Sequence, residues 1–314
     1  MTTPLSGTQF ELAFGDYTAT IASVGATLRR LQHRGRDLVV PFEADEVRPA
    51  YRGATLAPWP NRVVDGRYSF GSTAAGSTEA GSTEHQLALT EPARGHALHG
   101  LVGWLDFIAI GESPERVLLA TTVEAQAGYP FRLQVRVEFA LGADGLRTTI
   151  TTRNTGTDAA PYGTGPHPYL VAGEGRVDDW TLTLPAAQVL TVTADRLIPV
   201  ELTDVAGSAF DFGAPRVIGD TFIDHAFTEL ERDAGGAAEV RLTAASGTGV
   251  VMRWDTACPW VQVHTADQPD AAQSRIGLAV EPMTCPPDAF NSGTDLIVLE
   301  PGELATARWT IAAL

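Results

Sequence analysis

Apolar and polar residues alternate along much of this chain. Residues 131–139 read Phe-Arg-Leu-Gln-Val-Arg-Val-Glu-Phe without a break in step, and a period of two sends successive side chains to opposite faces of a strand. The same rhythm, rich in Val, Thr, Ile and aromatics, predicts strands over 18–24, 146–153, 179–184, 239–244, 250–254, 260–265 and 305–311. Turn signals fall between them at Asp65-Gly66, Asp144-Gly145, Asn154-Thr155-Gly156, Ser246-Gly247 and Pro301-Gly302. No long segment carries a 3.6-residue period. Many short strands joined by Gly and Pro turns predict an all-β sandwich or barrel. With no linker and no fold-scale repeat, residues 1–314 are expected to form a single domain.

One stretch departs from the rhythm. Residues 71–84 repeat Gly-Ser-Thr three times, too rich in small residues to pack a core, so a mobile loop is expected between strands at 67–70 and 85–90. Composition narrows the chemistry. The net charge of −16 argues against a nucleic-acid partner. All 22 basic residues are arginine, which excludes Schiff-base chemistry, a lysine-held pyridoxal phosphate and a P-loop lysine. Cys258 and Cys285 are too few for a disulfide framework. No run approaches the ~18 apolar residues of a membrane helix, and the first residues lack the basic and apolar regions of a signal peptide. A cytoplasmic protein without membrane or nucleic-acid partners is the expectation.

Five stretches carry candidate chemistry. In Pro161-Tyr-Gly-Thr-Gly-Pro-His167-Pro-Tyr-Leu170 an imidazole stands between two prolines, just after two glycines. Proline fixes φ and extends the preceding residue, so the run suits a rigidly mounted acid or base as well as a surface turn. Asn61-Arg62 follows a Pro-Trp-Pro loop, and a guanidinium fork suits hydroxyl oxygens or an anion. His96 and His99 lie three apart. A shared metal would need further ligands, and no Cys, His or carboxylate cluster completes one, so no metal is expected. Asp224 sits among apolar residues, where it is suited to accept from sugar hydroxyls or to close a strand end. Glu281 ends an apolar run and precedes a proline. A glutamate there is costly unless paired or functional, and low polarity raises its pKa toward that of a working base.

Together these pieces resemble the aldose 1-epimerase (mutarotase) family over nearly the whole chain and in the family's order. Gly25-Ala-Thr-Leu28, Asn61-Arg62, Gly66-Arg-Tyr68, Leu98-His-Gly100, Gly128-Tyr-Pro130, His167-Pro-Tyr169, Asp224, Glu281-Pro282 and Pro287-Asp-Ala-Phe-Asn291 carry the likeness. The resemblance implies a large antiparallel β-sandwich, the galactose mutarotase-like supersandwich, with a sugar cleft on one face. It implies Glu281 as general base, His167 as general acid, Arg62, His99, Asp224 and Asn61 as sugar-binding groups, an aldohexose or related monosaccharide as substrate, and no cofactor. A monomer or homodimer is expected. Pro58-Trp-Pro60, Thr90-Glu-Pro92 and His99-Gly-Leu-Val-Gly-Trp104 are similar to a bacterial branch that includes sulfoquinovose mutarotase-like proteins. This leaves open an anionic sugar, for which Arg29, Arg30, Arg52, Arg67 and Arg94 are candidate partners. A non-catalytic carbohydrate-binding protein and a glycoside hydrolase using Asp224 and Glu281 are the alternatives from other classes.

Overall fold

The computed structural model describes residues 3–71 and 82–314. Most of the Gly-Ser-Thr segment therefore lies outside the described residues. The strand flanking it on one side is Arg67–Phe70 as expected; its partner is Thr83–Gln86, two residues earlier than the composition suggests.

Strand periodicity translates closely into structure. The expected strands at 146–153, 239–244, 250–254 and 305–311 are Gly145–Asn154, Ala238–Thr243, Gly249–Trp254 and Leu304–Ala313. The run at 131–139 starts later and extends further, as Leu133–Gly142. Residues 179–184 divide into a 3-10 turn, Val177–Asp179, and a strand, Thr181–Leu184. These pieces join a nine-stranded antiparallel sheet in the order Ile108–Ser113, Arg116–Val123, Leu133–Gly142, Gly145–Asn154, Leu304–Ala313, Gly249–Trp254, Ala238–Thr243, Thr181–Leu184, Phe212–Val217. A six-stranded antiparallel sheet runs Tyr169–Leu170, Leu278–Met283, Trp260–His264, Asp224–Leu230, Ala186–Val192, Pro199–Asp204. A smaller sheet holds Gln9–Phe14, Tyr17–Ala22, Thr27–His33 and Arg36–Asp37.

The alternating residues of these sheets meet in one core. Val135, Val137, Ile150, Val240 and Trp309 from the large sheet join Phe227, Val261, Val263, Leu278 and Val280 from the six-stranded one. Each such buried side chain contributes about 1.5–3 kcal/mol relative to exposure. Core residues at 261, 263, 278 and 280 oblige 262, 264, 279 and 281 to face the other way. That second face of the six-stranded sheet is the floor of the site. No helix among the described residues is long and apolar enough to cross a membrane.

Candidate active site

Cross-strand register gathers the polar residues of the floor. Gln262 stands opposite Glu281, and His264 opposite both Asp224 and Ala279. Ala226 completes the row of Gln262 and Glu281. The small Ala226 and Ala279 leave room for four larger polar side chains on the shared face. Gln262 Nε2 donates to Asp224 Oδ1 at 2.6 Å, and His264 Nδ1 lies 3.9 Å from Asp224 Oδ2.

The 161–170 run is tied down along its length. Tyr129 Oη donates to the Pro161 carbonyl at 2.7 Å, Thr164 Oγ1 to that of Leu56 at 2.8 Å, and Tyr169 Oη to that of Ala50 at 3.1 Å. Gly165-Pro166 pairs with Thr55-Leu56, and Tyr169-Leu170 pairs with the Glu281 strand. His167 is held from both sides, its N–H donating to Ala54 and its carbonyl accepting from Gly53. Gly53 has φ +67°, and a Cβ there would stand 2.0 Å from the Leu28 carbonyl oxygen, so only glycine fits this tether. The outcome is His167 Nε2 at 3.4 Å from Glu281 Oε1, with both side chains almost wholly buried.

Two further loops close the site. Asn61 and His99 adopt left-handed φ values of 54° and 62°, and the His99 N–H donates to the Asn61 carbonyl at 2.8 Å. Gly100 follows with φ +74°; a Cβ on it would lie 2.1 Å from the Ala57 carbonyl oxygen. Asn61 Oδ1 accepts from the Arg62 N–H at 2.9 Å and from its Nη1 at 3.3 Å. Arg62 is further held by Glu91, through Nε at 2.7 Å and Nη2 at 3.0 Å, while Arg94 Nη1 reaches the same carboxylate at 2.8 Å.

These groups line a cavity of about 440 Å³, within the usual range for small-molecule sites. All six expected residues, Asn61, Arg62, His99, His167, Asp224 and Glu281, border it. His96 does not: its Nδ1 accepts from the Asp65 N–H and its Nε2 contacts the Arg196 carbonyl, so neither nitrogen is directed to a metal shared with His99. Of the arginines considered for an anion, Arg94 borders the cavity, Arg52 is bonded to Gln273, Arg29 to Gln9 and the Phe42 carbonyl, and Arg67 to Gln86. Arg30 is not among the lining residues. Tyr51, Glu91, Gln262, His264 and Asp267 also line the site, and sequence reasoning passed over all five.

Burial sets the protonation of the central pair. Desolvation, aided by the positive charges of Arg48 and Arg62, pushes His167 down to about 3. Desolvation and then the charge of Asp224 push Glu281 well above the usual carboxylate range, against the opposing pull of Arg62. His99 is held well below its ordinary value, first by burial and then by His167 and Arg62. Burial thus favours the uncharged form of each member of the pair. Several buried polar atoms at the cavity have no partner among the described residues: His99 Nδ1, His167 Nδ1, Gln262 Oε1, His264 Nδ1, Glu281 Oε2 and Arg94 Nε. Buried polar groups are rarely left unpaired, so the arrangement suits a ligand bearing many hydroxyls.

Comparison with known proteins gives the family and the fold. Residues 8–312 match the family described as aldose 1-epimerase. An uncharacterized protein, YihR, of Escherichia coli (strain K12) is 38% identical over 300 residues, covering 95% of this chain and 91% of its own. The galactose mutarotase of Bos taurus is 26% identical over 328 residues, covering 94% and 90%. Among solved structures, an aldose epimerase homologue from C. elegans superposes with a TM-score of 0.81 at 19% identity, covering 98% and 99% of the two chains. A galactose 1-epimerase from Lactobacillus acidophilus NCFM gives 0.76 at 18%, covering 97% and 94%. The match spans every element that builds the cleft, and the chain belongs to the aldose 1-epimerase family, whose members are epimerases acting on sugars.

Proposed function

We propose that the protein interconverts the α and β anomers of a free aldohexose by opening and closing the sugar ring. One observation carries this: a carboxyl and an imidazole, Glu281 and His167, stand 3.4 Å apart at the floor of a polar cavity. The two oxygens that must exchange protons in this reaction, the C1 hydroxyl and the ring oxygen, are bonded to the same carbon. Two groups this close match that spacing. Glu281 as carboxylate takes the C1 hydroxyl proton while the C1–ring oxygen bond breaks, and His167 gives its proton to the departing ring oxygen. The open aldehyde turns about C1–C2. Closure on the other face returns both protons. No net proton, electron or co-reactant is consumed.

The uncharged resting pair is compatible with these roles. A neutral imidazole with a protonated carboxyl holds the same number of protons as an imidazolium with a carboxylate; the forms differ by one transfer within the pair. Arg62 favours the carboxylate form. In the ring-opening step Arg62, His99 and Asp224 hold the hydroxyls, and Asn61 acts through Arg62. Each positioned acid or base typically contributes about 10²–10⁴-fold. Retention of both proton-transfer groups favours catalysis over binding alone. A second reading keeps the reaction and changes the sugar: Arg94 Nε is buried at the cavity without a partner among the described residues, which suits a sugar carrying an anionic group. One domain and a reducing compartment belong to the same proposal, supported by one large contiguous core and two buried free cysteines.

Polarimetry on freshly dissolved α-glucose and α-galactose tests the roles. The wild type is expected to speed the approach to equilibrium, and Glu281→Gln to lose at least about 10²-fold of that rate while still binding sugar. An undiminished rate in the variant would remove Glu281 from the mechanism.

A further inference from the structure

Glu91 lies outside the acid–base pair, yet it meets Arg62 more intimately than any other group. Its two oxygens take Nε and Nη2 of that arginine at 2.7 and 3.0 Å, and both side chains are about nine-tenths buried. A bidentate pair of this kind fixes the plane of the guanidinium as well as its position. Arginine carries five N–H donors. Glu91 occupies two and Asn61 Oδ1 a third, so one hydrogen on each of Nη1 and Nη2 is left as an outer fork on a residue that borders the cavity.

The Glu91 loop is itself anchored. The Gly95 N–H donates to the Glu91 carbonyl at 2.9 Å, and the Glu91 N–H to that of His96 at 3.0 Å. Arg196 Nε donates to the Arg94 carbonyl at 2.8 Å, and its carbonyl contacts His96 Nε2 at 3.0 Å. Charge adds a second consequence. The titratable and charged groups that line the cavity with Glu281 are Tyr51, Arg62, Glu91, Arg94, His99, His167, Tyr169, Asp224, His264 and Asp267. Burial alone would raise the Glu91 carboxyl, but its bonds and charges with Arg62 and Arg94 outweigh burial and keep it ionised. It therefore offsets part of the positive charge that Arg62 directs at Glu281.

We propose that Glu91 is the positioning residue of the sugar site: its carboxylate fixes Arg62 with the outer fork free for a sugar oxygen, and its charge shields Glu281 from Arg62. This rests on the epimerase roles given above for Glu281 and Arg62. Two effects separate it from a merely structural contact. Loss of the carboxylate frees the guanidinium, so kcat/KM falls. Loss of its charge exposes Glu281 to Arg62, so Glu281 gives up its proton at lower pH and the basic limb of the pH–rate profile moves toward acid.

The test is kcat/KM against pH for the full-length wild type, Glu91→Gln and Glu91→Asp, with α-glucose or α-galactose followed by polarimetry. Glu91→Gln keeps the shape and removes the charge; kcat/KM is expected to fall about 10- to 100-fold, with the basic limb displaced to lower pH. Glu91→Asp keeps the charge and shortens the reach, so it lowers kcat/KM without moving that limb. The aspartate variant also covers a glutamine variant that fails to fold. A Glu91→Gln enzyme with wild-type kcat/KM, a fall with an unmoved limb, or an aspartate variant indistinguishable from wild type would each overturn the proposal. Glu281→Gln run beside them keeps the questions apart: an active Glu281→Gln refutes the acid–base roles, whereas an inactive one beside an unaffected Glu91→Gln refutes only the role of Glu91.

Discussion

The cleft is assembled from two halves built by different rules. Asp224, Gln262, His264 and Glu281 stand on regular strands, brought to one face by period-two alternation and antiparallel register. Asn61, Arg62, Glu91, His99 and His167 come from short bridges and turns, where left-handed residues, glycines and prolines aim the side chains. The strand half has its geometry fixed by the core on the opposite face: Val261, Val263, Leu278 and Val280 cannot turn outward without emptying it. The loop half has no such lever and relies on individual tethers. The two halves should therefore fail differently when disturbed.

The sharpest break is expected in the loop half. Gly100→Ala places a Cβ 2.1 Å from the Ala57 carbonyl oxygen at φ +74°. Thermal or denaturant unfolding should show a loss of more than about 1 kcal/mol, and polarimetry a lower kcat/KM because His99 is the preceding residue. An unchanged melting curve would mean that the loop half is not held by backbone fit. In the strand half, Gln262→Leu should leave the fold intact and remove the 2.6 Å bond to Asp224. A hydrogen bond to a charged group contributes about 1.5–3 kcal/mol, so KM is expected to rise about tenfold or more. A variant with wild-type KM would show that Asp224 needs no such support.

The smallest effect is one of pH. With His167 pushed down to about 3, the acid limb of kcat/KM should fall near that value and not near 6.5, where an ordinary histidine titrates; activity lost on acidification through 6.5 would contradict the buried assignment. Stability follows the same sign. The folded His167 and His99 resist a proton that the unfolded chain takes up below about 6.5. Their contribution is therefore complete above that value and is lost as pH falls toward the lowered folded values, about 3 for His167. Glu281 acts oppositely: its folded pKa is raised, so its contribution is present below 4.5 and lost as pH rises through the folded value. Glu281→Gln should accordingly be more stable than wild type on the alkaline side.

The two halves also differed in how far they could be seen in the sequence. Alternation located the strands to within a few residues, because a half-buried strand repeats its signal at every second position. It could not tell whether a polar row faces solvent or a cavity. Nothing local in Trp-Val-Gln-Val-His marks Gln262 and His264 as functional, whereas Asp224 and Glu281, acids set among apolar residues, stood out. The loop half was legible where Gly and Pro crowd around a functional group, as at His167, Asn61-Arg62 and His99-Gly100. Glu91, between Thr90 and Pro92, carries no such local mark. Its importance comes from Arg62, twenty-nine residues away in sequence, and pairing across that separation appears only once the chain is folded.

A double-mutant cycle measured by anomer-exchange NMR tests the central claim most directly: that Glu281 and His167 act as one proton-transfer unit. Wild type, Glu281→Gln, His167→Asn and the double variant would be compared on the same aldohexose. If the pair works as a unit, each single variant loses at least about 10²-fold, and the double variant loses little more than the worse single one. Single variants that retain wild-type exchange rates, or losses that multiply in the double variant, would contradict it.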